Sequence, residues 1–235
     1  MELSTITTPA FYSANFGTDE PIRPFPRELT PHGTTVLFTD RYVDPEQRAG
    51  WDLVMRVDPT IFAPTPRRAA RYVKLNAHLM FPGVPWSVWF DQTHMPVTDL
   101  AKLRSFLPLS DIACFKHPQR STAREEAEKC KELQLDEPQN INKMLRFFES
   151  VDFPDTYGLY GTACVVRAHT PEIVALNSLW WWACQRYTQR DQIILPWVCW
   201  QLGIVPTCLE GKPRADEQPP GVVTKPNPYF EVTVW

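Results

Sequence analysis

The chain has 235 residues, is 43% hydrophobic and carries a formal charge of −3, values that suit one globular domain and argue against disorder. Twenty-four prolines stand beside only 9 glycines, which excludes collagen repeats and flexible glycine linkers. The slightly acidic balance gives no general attraction for nucleic acid, although a local basic groove remains compatible with it.

No apolar run approaches the roughly 18 residues of a membrane span. Met1-Glu2-Leu3-Ser4 opens without the basic and apolar regions of a secretory signal. The expectation is a soluble, cytoplasmic protein with no membrane partner. The six cysteines include no Cys-x-x-Cys, and no second ligand pair stands at zinc spacing from Cys114 and His117. Free, mostly buried thiols are expected.

Short apolar runs alternate with helical patterns, which predicts an α/β domain. Thr34–Thr39 and Leu53–Val57 read as strands. Thr65 is a cap and Pro66 a first helical residue, opening a helix whose apolar face is Ala69, Tyr72, Val73, Ala77 and Met80 and which Pro82-Gly83 stops. Trp86–Phe90 is apolar on both faces, as in a buried central strand, and ends on Asp91. Residues Asp111–Lys116 form another strand. Thr122-x-x-Glu125 is a capping box, Pro138 opens a further helix, and Thr162–Arg167 is a late strand. Pro171 begins a helix with Ile173, Leu176, Trp180, Ala183, Cys184 and Tyr187 on one face. Thr188 is the expected cap of the next helix, with Pro196 near its start. The boundaries drawn are 1–211 for the domain and 212–235 for a proline-rich tail that docks on it, with Tyr229–Trp235 suited to an edge strand.

Several side chains have a functional and a plain reading. Asp91, at the end of a buried strand, either holds a cation bridging phosphates or simply forms a turn. Arg67, Arg71, Lys74 and His78 share one helix face, which either meets phosphate oxygens or faces solvent. Lys116, His117 and Arg120 sit between a strand end and a helix N-terminus, an anion site or a polar loop. Glu125 and Glu126 read as a cap and a dipole-favoured first turn. Asp191, flanked by Arg190 and Gln192, is stabilised as an anion by its helix N-terminus, which suits charge stabilisation better than general-base catalysis. Trp180, Trp181 and Trp182 point in three directions, with Trp180 in the core and the other two either packed or lining a sugar platform. The fingerprints Gly-x-Gly-x-x-Gly, Walker A, Gly-x-Ser-x-Gly and His-Glu-x-x-His do not occur. This disfavours dinucleotide oxidoreductases, P-loop NTPases, α/β-hydrolases and zincins.

In chain order, Tyr12-Ser-Ala-Asn-Phe-Gly17 with Asp19, Phe38-Thr-Asp40, Ala70–Lys74 to His78, Trp86–Asp91, His117-Pro-x-Arg120 with Glu125-Glu126, Gly158-Leu159 and Arg190-Asp-Gln192 resemble the TOD/MUCI glycosyltransferase-like family. The resemblance runs from about residue 12 to 205. It implies a GT-A type, Rossmann-like mixed sheet flanked by helices, and transfer of a sugar from a nucleoside diphosphate sugar, a UDP-sugar first, to an unknown acceptor.

On that resemblance Ala14, Phe16, Gly17 and Asp40 border the base and ribose, and Arg71 and Lys74 face the diphosphate. His117, Arg120, Arg190 and Gln192 complete the cleft, and Asp191 is the catalytic carboxylate. Asp91 stands for the metal-binding acidic motif, with Mn²⁺ or Mg²⁺ as the implied cation. The sequence departs from the pattern in having Asp91-Gln92-Thr93, with one carboxylate where many such transferases have two, and no histidine after His169. The membrane anchor of the plant members is also not matched. Two other readings are a non-catalytic binding protein of the same fold and a transferase acting on a DNA base. The acceptor is left open among glycan, protein, small molecule and nucleic-acid base.

Overall fold

The computed structural model describes residues 2–213 and 223–233. Seven strands form the main sheet: β1 (Ala10–Asn15), β2 (Thr34–Thr39), β3 (Leu53–Arg56), β4 (Trp86–Phe90), β6 (Ile112–Lys116), β7 (Tyr160–Ala168) and β8 (Thr207–Leu209). Their order is β3-β2-β1-β4-β7-β6-β8. β7 runs antiparallel to both neighbours, while the other pairings are parallel. A smaller sheet has the order β5-β10-β9, from β5 (His94–Pro96), β9 (Val223–Thr224) and β10 (Phe230–Thr233).

The helices are α1 (Pro45–Arg48), α2 (Pro66–Leu75), α3 (Ala77–Met80), α4 (Ala123–Glu132), α5 (Pro138–Ser150), α6 (Pro171–Arg186) and α7 (Asp191–Leu202). This is the mixed α/β sheet expected, but its two faces are covered differently. Tyr12 and Trp89 pack with residues of α2, α4, α5, α6 and α7 in one core. Phe11, Trp86, Val88 and Phe90, on the other face, pack against Leu100, Leu103, Phe230 and Val232. A run of 3-10 turns (Leu100–Leu109) and the small sheet therefore cover that side.

Alternation explains why β4 is central: Trp86, Val88 and Phe90 enter one core and Trp89 the other. β1 lies beside it by the same rule, although its Ala-Phe-Tyr-Ser-Ala-Asn run was not assigned as a strand from sequence. The capping box at Thr122 is formed, its hydroxyl accepting from Glu125 N–H while Glu125 accepts from Thr122 N–H.

Three sequence expectations require correction. The helix opened by Pro66 ends at Leu75 because the Asn76 amide donates to the Tyr72 carbonyl, and buried Arg167 and Tyr12 donate to the Lys74 carbonyl. Ala77–Met80 is a separate turn. Thr188 does not cap α7: its hydroxyl donates to Asp136 and accepts from Arg190 N–H, bracing the loop, and the helix starts at Asp191 with Pro196 inside it. The terminal strand is central in its sheet, with β5 on one side and β9 on the other. Pro219, Pro220 and the last two residues of the expected tail lie outside the described residues.

Five cysteines are buried and Cys208 is exposed. Burial pushes the Cys114 thiol up to about 12, so it packs as a small apolar group. None of the described helices is long and apolar enough to cross a membrane.

Candidate active site

A cleft of about 1030 Å³ opens beyond the carboxyl ends of β1 and β4. This is where the strand order reverses, since β1 leads outward to β2 and β3 on one side and β4 begins the other half. Open α/β sheets bind ligands at such points because the diverging connections leave a crevice.

The floor is built by α2 and α7. The stripe read from the sequence divides here: Arg67, Arg71 and Lys74 line the cleft, whereas His78, beyond the Asn76 break, contacts Asn177 through its ring nitrogen. Arg71 Nε lies 2.9 Å and Lys74 Nζ 2.5 Å from the two carboxylate oxygens of Asp191. Thr162 adds a hydroxyl donor to Asp191 at 2.9 Å, and Trp180 Nε1 donates to the Asp191 carbonyl. Burial alone would raise the Asp191 carboxyl, but Arg71 and Lys74 more than reverse this and hold it far below the usual carboxylate range. Burial also lowers the Lys74 ammonium, against the opposing pull of Asp191 and Asp91. Asp191 is thus a shielded anion held between two cations, suited to fixing them and unsuited to taking a proton.

A second cluster forms one wall. Arg120 Nε is 2.5 Å from Glu126, with His117 Nε2 at 3.6 Å and Arg190 at 3.9 Å from the same carboxylate. His117 Nδ1 accepts from Arg120 N–H, and burial lowers the ring below ordinary histidine although Glu126 opposes this. Glu126 is buried and lines the cleft, a place that its reading as a first-turn acid did not reveal. The signal available was its position six residues after Arg120, in the first turn of the helix that Thr122 caps.

Asp91 lies at the end of β4 and accepts from Trp89 Nε1 at 2.8 Å. Unlike Asp191 and Glu126, it makes no ion pair among the described residues. Ala14, Phe16, Gly17 and Gln192 also line the cleft. Asp40 is not part of the lining; its carboxylate accepts from Gly17 N–H at 2.8 Å and so shapes the loop after β1. Trp181 and Trp182 do not reach the cleft: Trp181 meets Tyr72, and Trp182 packs against Tyr187 and Trp197. Asn15, Gln92 and Thr162 are lining residues without an assigned role in the sequence reading.

A divalent cation needs several hard oxygen ligands. Among the described residues no three His, Cys, Asp or Glu side chains converge to hold a metal. Asp191 and Glu126 are already bound to cations, so Asp91 supplies a single carboxylate. These residues do not make a metal site of their own.

The doubly cored mixed sheet, with its cleft at the switch point, has the GT-A type fold. The WbbM bifunctional glycosyltransferase, in its apo structure, superposes with a TM-score of 0.53 at 12% identity, over 87% of this chain and 39% of that one. The present chain therefore spans about two-fifths of that protein. Mouse xyloside xylosyltransferase 1, apo form, aligns at a TM-score of 0.45 and 11% identity, over 85% and 83% of the two chains. No curated protein matches the chain. The family model described as TOD1/MUCI70, glycosyltransferase-like domain, matches residues 34–209. The chain belongs to that family.

Proposed function

We propose that this protein transfers a sugar from a nucleoside diphosphate sugar, with a UDP-sugar as the first donor to test. The observation that carries the reading is the pair of cations, buried Lys74 and partly buried Arg71, that both bind Asp191 at the cleft floor. Asp91 also acts on both cations, but across the cleft lining Arg67, Arg71, Lys74, Arg120 and Arg190 outnumber Glu20, Asp91, Glu126 and Asp191, and a diphosphate supplies the complement. Arg71 presents a planar fork of donors and Lys74 a compact point charge, so together they can hold the leaving diphosphate as the glycosidic bond to it breaks. Asp191 acts through them as a positioning residue. The acceptor hydroxyl enters from the open side of the cleft.

The cation implied by the family resemblance would have Asp91 as its protein ligand. The side-chain cations provide the charge that such an ion would add, and we assign the leaving-group stabilisation to them. Titration calorimetry with UDP, GDP and their glucose and mannose conjugates, with Mn²⁺ and with EDTA, tests the proposal. Binding of a nucleotide sugar followed by release of its nucleoside diphosphate is the expected result. Failure of wild-type protein to bind any of them would overturn it.

The engagement of both Asp191 and Glu126 in ion pairs favours one second reading, a binding protein of this fold without turnover. Donor binding without transfer or hydrolysis would select it.

A further inference from the structure

Gln92 and Asn15 flank the switch point, and neither satisfies its hydrogen-bonding capacity within the described protein. Gln92 follows Asp91 at the end of β4 and is 6% exposed, yet neither Oε1 nor Nε2 has a partner. Asn15 closes β1 and is 2% exposed; its Nδ2 donates to the Glu20 carbonyl at 3.4 Å, while Oδ1 has no donor. Both line the cleft. β1 and β4 pair in parallel with Tyr12 opposite Trp89, and the same offset carried forward sets Asn15 level with Gln92.

Burying an amide without a partner forfeits its hydration, so such groups are normally satisfied. Two of them at adjacent strand ends, in residues that line one cleft, indicate a ligand that supplies what is missing. Together they offer two acceptor oxygens and an amide donor, with no net charge. Phosphate oxygens could accept from Gln92 Nε2 but would leave Oε1 and Oδ1 without a donor, which disfavours the diphosphate as their occupant. A carbohydrate hydroxyl both donates and accepts, and a pair of neighbouring hydroxyls complements this set.

We infer that Gln92 and Asn15 form a hydroxyl-reading subsite for a sugar ring of the donor, beside the cations that hold its diphosphate. The inference rests on the nucleoside diphosphate sugar reading above. The ring is either the ribose of the nucleotide or the sugar to be transferred, and ligands that differ in those hydroxyls separate the two.

The experiment titrates wild type, Gln92→Met and Asn15→Leu with UDP, 2′-deoxy-UDP and UDP-glucose. Both substitutions keep the approximate shape and remove the amide. Loss of a buried polar contact predicts about tenfold weaker binding of the ligand whose hydroxyls are read. A ribose subsite gives that loss with UDP and a smaller one with 2′-deoxy-UDP. A subsite for the transferred sugar gives it with UDP-glucose and not with UDP. If Gln92→Met does not fold, Gln92→Ala removes the amide without adding a buried charge. Wild-type affinities for all three ligands in the folded variants would overturn the inference and leave the donor reading intact. Absence of nucleotide binding by wild type would overturn both.

Discussion

Lys74 on α2 places its ammonium 2.5 Å from the carboxylate of Asp191, the first residue of α7, with both side chains almost wholly buried. Removing one partner of such a pair leaves an uncompensated charge in the interior. Asp191→Asn exposes Lys74 and Arg71 to this penalty at once and is expected to lower stability by about 3–5 kcal/mol. Chemical denaturation measures it, and a loss near zero would show that the pair is solvated in the working protein.

The diphosphate contacts are tested by charge removal with retention of bulk. Lys74→Met and Arg71→Met should each weaken UDP binding by about 10–100-fold, the range for charge-assisted hydrogen bonds. Chelation with EDTA should leave the wild-type dissociation constant unchanged within the error of calorimetry. Complete loss of UDP binding in EDTA would return the leaving-group charge to a metal bound through Asp91.

His169 predicts an acid-sensitive stability profile. Burial first, then the charge of Arg167, lowers its ring from 6.5 to about 4, and Nε2 lies 2.9 Å from Ser87 Oγ. The folded protein therefore resists protonation that the unfolded chain accepts. Its stabilising contribution is complete above pH 6.5 and is lost as the pH falls toward about 4, a change of about 3 kcal/mol from this group. His169→Asn should flatten thermal melting curves across that window. Asp191, whose carboxyl is lowered from 3.8, adds a second loss at still lower pH.

Gly17 links local backbone to the cleft. Its φ is +59°, and an added Cβ would lie 2.5 Å from Cβ of Pro66, the first residue of α2. Gly17→Ala is expected to cost about 1–3 kcal/mol from the left-handed backbone and the clash, and to weaken nucleotide binding by shifting α2. A variant with wild-type melting temperature and affinity would show that the loop relaxes freely.

Much of the architecture was legible in the residues. Pro66 after Thr65 and the capping box at Thr122 are local devices whose hydrogen bonds form within a few residues, so their spacing suffices to place them. β4 was recognisable because Trp86, Val88, Trp89 and Phe90 are apolar on both faces. β1 was not, since Ser13 and Asn15 interrupt its apolar run and only its position between β2 and β4 buries them. The end of α2 was misplaced because its stop needs, beside the local Asn76 amide, Arg167 and Tyr12, residues remote in sequence.

The candidate site divides along the same line. Residue order alone determined that Arg71 and Lys74 share a helix face and that Asp91 ends a buried strand, because helical and strand periodicities are local properties. Only the tertiary structure decided that this face turns inward onto Asp191 and that Glu126 joins Arg120 in the wall. It likewise left Gln92 and Asn15 buried and unpartnered at the switch point. Those outcomes depend on charges and amides brought together from distant segments, where burial sets their electrostatic strength.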